Sequence, residues 1–204
     1  SLWCQMVIKV SRQVMLESKR IILRKIETRD APTLLKWGQD SVYHKSAGYQ
    51  YLEDLTAAQK SICQYRERPY SYGIVLKENS RLIGLVELYE RGLDEYNGLL
   101  MTKDLGFLLD KNYWHQGLMT EALQLIINFA FEKLHQNQIW AGTFVSNENS
   151  QRLLKKLGFR YVYTTDYSMI SSLFNYQEKY YLLTPQDWHD ICLLYTSPSP
   201  RDCS

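Results

Sequence analysis

The chain has 204 residues, 45% of them hydrophobic and 23% charged, a balance that supports a packed soluble core and excludes a disordered chain. Its 24 Lys+Arg against 22 Asp+Glu leave a net charge of +2, so no bulk field calls for nucleic acid or a membrane surface as partner. No apolar run approaches the ~20 residues of a membrane span and no signal-peptide pattern opens the chain, so a cytoplasmic protein is expected.

Cys4, Cys192 and Cys203 lie near the ends and only Cys63 lies inside. Neither a disulfide framework nor a metal-ligand spacing follows, and Cys63 reads as a small core residue. Residues 192–204 are similar to the frame translation of a transposase adapter used in sequencing libraries, and residues 1–14 read as an upstream extension before a natural start at Met15. One working domain is expected over residues 15–191.

In chain order, the β-rich run at residues 20–24 is followed by a helix that Asp30 can cap, with Pro32 in its first turn. A second helix is expected over residues 56–66, with Thr56 as its cap. Tyr43, Tyr49 and Tyr51 fall in a loop between the two. Residues 72–77, 81–89 and 103–110 read as a meander of three strands, the last connection containing Gly92 and Gly98. Residues 117–134 carry apolar positions at three-to-four spacing and predict the longest helix, packed along one face. A strand at 139–145, a helix at 149–157 ended by Gly158, and strands at 160–170 and 177–184 complete the order βααβββαβαββ. That order, without an internal repeat, predicts a mixed α+β sheet domain.

Chemistry concentrates where the strand 105–109 runs through Asp110-Lys111-Asn112 into Tyr113-Trp114-His115-Gln116-Gly117-Leu118-Met119-Thr120-Glu121-Ala122. A helix first turn offers unpaired N–H groups and the positive end of a dipole, and Gly117 lets the backbone approach a phosphate. This is neither a P-loop nor a dinucleotide fingerprint, because the required Lys and further glycines are absent. A second cluster, Asn147-Glu148-Asn149-Ser150, suits helix capping as it stands.

Together, the opening run from Leu16 to Arg24, Ile83-Gly84, the segment from Tyr113 to Leu123, and Asn147-x-x-Ser150 leading to Lys156-Leu157-Gly158-Phe159 resemble the GNAT N-acetyltransferase superfamily, in particular its RimJ/RimL-like branch. The resemblance implies a mixed, mostly antiparallel sheet of about seven strands, splayed at two central parallel strands, with about four flanking helices. It implies acetyl-CoA as co-substrate and no metal, with Leu108 and Leu109 pairing with the pantetheine arm. The amides of Gln116, Gly117, Leu118, Met119 and Thr120 would hold the pyrophosphate. The family's proton-donor Tyr would fall at Leu154, so Ser150 is the expected partner of the departing sulfur, with Asn147 orienting the pantetheine. Trp114 and Met119 depart from the general loop pattern.

Asp104 and Glu87 are the candidate bases, acting through water, and Trp37, Tyr49 and Tyr72 the candidate acceptor wall. His115 is expected on the surface or phosphate side. The acceptor implied is a primary amine, first of all a protein N-terminus. A small amine such as a polyamine, amino sugar or antibiotic, which an acidic cleft would favour, and an idle acyl-CoA-binding module stand as alternatives. A monomer or homodimer is expected.

Overall fold

The computed structural model describes residues 15–91, 101–169 and 175–196. Eight strands join in one sheet: β1 (Leu16–Glu17), β2 (Ile21–Arg24), β3 (Ser71–Leu76), β4 (Arg81–Glu90), β5 (Thr102–Leu109), β6 (Gln138–Phe144), β7 (Arg160–Asp166) and β8 (Gln177–Leu183). Their order is β1-β2-β3-β4-β5-β6-β8-β7, with β5 and β6 the one parallel pair among the described residues. Six α-helices accompany them among the described residues: α1 (Ala31–Gln39), α2 (Ser41–Ala47), α3 (Leu55–Glu67), α4 (Leu118–Asn128), α5 (Glu148–Lys156) and α6 (Pro185–Thr196). The α+β class is the expected one. The counts rise from seven strands and four helices because the two-residue edge β1 and the seven-residue α2 carry too little periodic signal to register from sequence, and because α6 runs into residues 192–196, expected to belong to an adapter-derived tail. Residues 1–14 and 197–204, Gly92, Gly98 and Ile170 lie outside the described residues.

Contacts divide the chain into two compact units. The described part of the first holds residues 15–89 and 105–127. β2 runs antiparallel to β3 with Leu23 opposite Ile74, and β3 antiparallel to β4 with Tyr72 opposite Val86. Ile21, Leu23, Leu34, Trp37 and Ile83 are fully buried, as the period-two strands and the 3.6-period helices require. Gly84 permits β4 and β5 to meet, since a Cβ there would collide with the Leu108 carbonyl oxygen.

Two expected caps change here. The Asp30 carboxylate turns back to accept from Arg24 at 2.7 and 3.0 Å and from the Glu27 N–H at 2.8 Å, so α1 has no side-chain cap. Asp54 rather than Thr56 caps α3, accepting from the Ala57 N–H at 2.8 Å. The expected aromatic loop contains α2, capped by Asp40 and closed by Gly48 at φ 63°. Tyr43 and Tyr49 are buried while Tyr51 is exposed.

The second unit holds the described parts of 90–104 and 128–204. Thr102, Lys103 and Asp104 of β5 pair in parallel with Gln138, Ile139 and Trp140 of β6, and the registered pairs end there. β8 then pairs antiparallel with both β6 and β7. The long helix expected to run to Leu134 becomes a single π turn, Phe129–Lys133, before His135 turns left-handed at φ 51°. Gly158, at φ 91°, closes α5, and a Cβ there would stand 2.7 Å from Ile191 of α6. α6 continues through residue 191, where the working domain was expected to end, to Thr196. No helix among the described residues is long and apolar enough to cross a membrane.

Candidate active site

The β5–α4 connection is held from below by buried polar contacts. The Asp110 carboxylate accepts from the Trp37 indole N–H at 2.9 Å and from the Asn112 N–H at 3.0 Å, with Lys36 Nζ 3.6 Å away. Burial opposes its charge, but these donors and Lys36 prevail and hold its pKa below the usual carboxylate value. The Tyr43 hydroxyl accepts from the Lys111 N–H at 2.9 Å. Trp114, whose indole N–H donates to the Leu109 carbonyl at 2.8 Å, folds the loop back on the strand end. One of the two lone pairs of that carbonyl is therefore already engaged.

Gly117 at φ 74° and His115 at φ 59° both adopt the left-handed region, which lets the chain reverse before α4. The first helical hydrogen bond runs from the Glu121 N–H to the Gly117 carbonyl at 3.1 Å. The amides of Leu118, Met119 and Thr120 therefore have no intrahelical acceptor. Glu121 ties this turn to the β1–β2 connection: it accepts from Ser18 Oγ, from the Arg20 N–H at 2.9 Å and from Arg20 Nε at 2.7 Å. Arg20 Nη1 also donates to the Gln116 carbonyl at 3.0 Å. Burial would raise the Glu121 pKa, but the bonds from Ser18 and Arg20 outweigh it and the net shift is downward. Arg20 and Glu121 were not singled out from sequence, because their contact spans 101 residues.

Also in the first unit is a cavity of about 240 Å³, whose wall includes Tyr49, Ser61, Tyr65, Arg68, Glu87, Tyr89, Gly106 and Leu108. Glu87 is 7% exposed and accepts from Arg68 Nη1 at 3.0 Å and from the Ser71 and Tyr89 hydroxyls. The Tyr89 ring lies on Gly106, where a Cβ would stand 2.9 Å from its Cε2. Of the expected acceptor wall, Tyr49 lines this cavity. Trp37 is fully buried under the β5–α4 loop, and Tyr72 is 3% exposed with Lys25 Nζ 5.3 Å from its ring centre; neither lines it. Arg68, Tyr65 and Tyr89 escaped the sequence reading. A signal existed: Glu87 and Tyr89 share a face of β4 by the period of two, and Ser61, Tyr65 and Arg68 follow the three-to-four spacing of α3.

In the second unit Asp104 pairs with Arg91 Nη1 at 2.6 Å, and the Arg91 guanidinium lies 4.2 Å from the centre of the Trp140 ring. Burial pushes the Asp104 pKa up despite that partner. At α5 the Asn147 side chain accepts from the Ser150 N–H at 3.1 Å and is the cap. Ser150 sits three residues inside, its hydroxyl making no hydrogen bond to the described residues. Among the described residues no group of three His, Cys, Asp or Glu could hold a metal.

Residues 20–160 match the family described as Acetyltransferase (GNAT) domain. The protein called "Probable N-acetyltransferase YjcK" of Bacillus subtilis (strain 168) is 31% identical over 161 residues, covering 71% of this chain and 83% of that one. Among solved structures, a GCN5-related N-acetyltransferase from Brucella melitensis superposes with a TM-score of 0.75 at 14% identity, covering 95% of this chain and 89% of the other. RimL, a ribosomal L7/L12 alpha-N-protein acetyltransferase solved in complex with coenzyme A, superposes with a TM-score of 0.69 at 15% identity, covering 84% and 98%.

Proposed function

The chain belongs to the GNAT acetyltransferase family, and on that premise we propose that it moves the acetyl group of acetyl-CoA to a primary amine, with a protein N-terminal α-amine as acceptor, in the manner of the RimJ/RimL-like branch. The observation that carries the cofactor half of this reading is the start of α4. Three amides without intrahelical acceptors follow a left-handed glycine, and such a turn suits a pyrophosphate through its donors and its dipole. Gln116, Gly117, Leu118, Met119 and Thr120 would supply those amides and Leu108 the backbone contact to the pantetheine.

Acetyl-CoA supplies an activated thioester. The amine attacks its carbonyl carbon, the C–N bond forms, the C–S bond breaks, the amine proton leaves to a base and the thiolate takes up a proton. Glu87 is the preferred base, acting through water, because it lines the cavity, and Asp104 is not among the residues that line it. Ser150 is proposed to donate a hydrogen bond to the departing sulfur and Asn147 to orient the pantetheine. These two roles rest on the family resemblance, supported by a Ser150 hydroxyl that is not used as a cap. A single carboxylate on the cavity wall, already holding three donors, favours an acceptor with one amine over a polyamine or amino sugar.

Thiol release from acetyl-CoA tests the proposal. Peptide α-amines are expected to support turnover and desulfo-CoA to raise the melting temperature by mass action. No melting shift at saturating CoA would remove the cofactor claim. A shift with no turnover on any amine would leave only a CoA-binding module.

A further inference from the structure

We propose that the acceptor carries a carboxylate close to its reacting amine, and that Arg68 and Tyr49 read that carboxylate inside the cavity bearing Glu87; the proposal rests on the acetyl-transfer reading above.

Several polar groups on the cavity wall are already spent. Glu87 accepts from Arg68, Ser71 and Tyr89. The Gln50 amide donates to Ser61 Oγ at 3.0 Å. Arg68 gives one N–H to Glu87 and lies over two rings, 5.1 Å from the centre of Tyr65 and 5.6 Å from that of Tyr89. The side chain is 44% exposed, and its remaining guanidinium N–H groups, with no partner among the described residues, are open to solvent and to a ligand. Tyr49 is 7% exposed, and its buried hydroxyl, beside that of Tyr65, makes no well-formed hydrogen bond. Apart from the exposed Gln50 and Gln64 amides, what is left is the Arg68 N–H groups and the Tyr49 hydroxyl, and a fork of N–H groups with a phenol on the same wall matches the two oxygens of a carboxylate.

Charge points the same way. Lys25, half-buried, donates to the Arg68 and Pro69 carbonyls at 2.7 and 2.9 Å and is attracted by Glu87. Lys25 does not line the cavity; among the residues that do, Arg68 is the one cation and Glu87 the one carboxylate, so the wall has no net negative charge to draw a second ammonium. Volume narrows the class further: about 240 Å³ is below the ~300–1,000 Å³ of pockets for drug-sized ligands. That leaves room for one short amine with its carboxylate. The carboxylate has two sources, the α-carboxylate of a free amino acid or the side chain of an acidic first residue on a peptide.

The test measures kcat/KM by thiol release at saturating acetyl-CoA in two arms. One compares an α-amino acid with its α-amide, its decarboxylated amine and spermidine; the other compares peptides that begin with Asp and with Asn. In one arm the carboxylate is expected to be preferred by about tenfold or more, the scale of one charge-assisted contact, and the preferred arm names the source. Arg68→Met should collapse that ratio to within about twofold, Arg68→Lys should restore part of it, and Tyr49→Phe should reduce it by about threefold. Because each ratio is taken within one variant, a general loss of activity cancels. An amide or spermidine used as well as the carboxylate, or a ratio that survives Arg68→Met, overturns the proposal. Absence of turnover on every acceptor would sink acetyl transfer instead. The melting temperature of the CoA-saturated protein with an N-acetyl amino acid, against its amide, then decides: stabilisation by the carboxylate in wild type and not in Arg68→Met supports it, and no difference overturns it.

Discussion

Each unit starts one helix at a cluster that the sequence marks as chemical, and the two starts are built differently. In the first, α4 opens on a left-handed Gly117 and leaves three amides without intrahelical acceptors. In the second, α5 opens on Asn147, whose side chain takes up the Ser150 N–H. An uncapped start keeps its donors for an anion from outside, whereas a capped one has begun to satisfy itself. The first therefore suits the proposed phosphate role, and what the second has left is a side chain, the Ser150 hydroxyl. The carboxylates divide in a similar way. Glu87 is enclosed with three donors, and Asp104, half-exposed, has Arg91.

The largest effect expected is that of Ser150→Ala, which should lower kcat by about ten- to a thousand-fold with little change in acetyl-CoA affinity. Because Asn147 is the cap, its melting temperature should hardly move. A destabilised but fully active variant would return Ser150 to a structural role.

Next is Gly117→Val. A β-branched side chain at φ 74° costs about 1–2 kcal/mol or more, and the turn it distorts carries the phosphate amides. Affinity for CoA by calorimetry should fall about tenfold or more, while unchanged affinity would break the contrast between the two helix starts.

Asn147→Ala sharpens the same contrast from the other side. Loss of the cap should cost ~1 kcal/mol, read as an earlier denaturant midpoint; an unchanged midpoint would mean that the cap contributes nothing.

The smallest effect concerns pH. The Glu121 pKa is lowered in the folded state, so its contribution is fully present above the unfolded value of ~4.3 and is lost as pH falls through the folded one. Urea midpoints of wild type and Glu121→Gln should therefore converge on acidification from neutral to below that range. A gap constant with pH would show that the Ser18 and Arg20 bonds do not depend on the charge.

Much of this was legible beforehand where the information is local. The strand–loop–helix around Gly117 could be read from an alternating run, a turn and a 3.6-residue period. The parts missed were short or shared. α2 has seven residues, too few for a period to register, and its cap, Asp40, looks like any loop aspartate. Asp30 has a good capping residue type, but Arg24 and the Glu27 N–H compete for its carboxylate. Trp37 and Tyr72 are buried and do not line the cavity; by residue type alone an aromatic fits a cleft or a core equally well, and only its spatial neighbours decide between them.

The sequence by itself determined the class of fold, the family and the anion-ready turn, because hydrophobic period, glycine position and motif spacing are properties of contiguous residues. Which polar groups remain unspent was decided only by the tertiary structure. Arg68 at the end of α3, Glu87 and Tyr89 on β4 and Gly106 on β5 share one cavity, and Arg20 in the β1–β2 connection holds the turn before α4 through Glu121 and the Gln116 carbonyl. Hydrogen-bond satisfaction is a pairwise property in space. A donor's freedom is set by what the rest of the chain brings next to it, and no run of neighbouring letters records that.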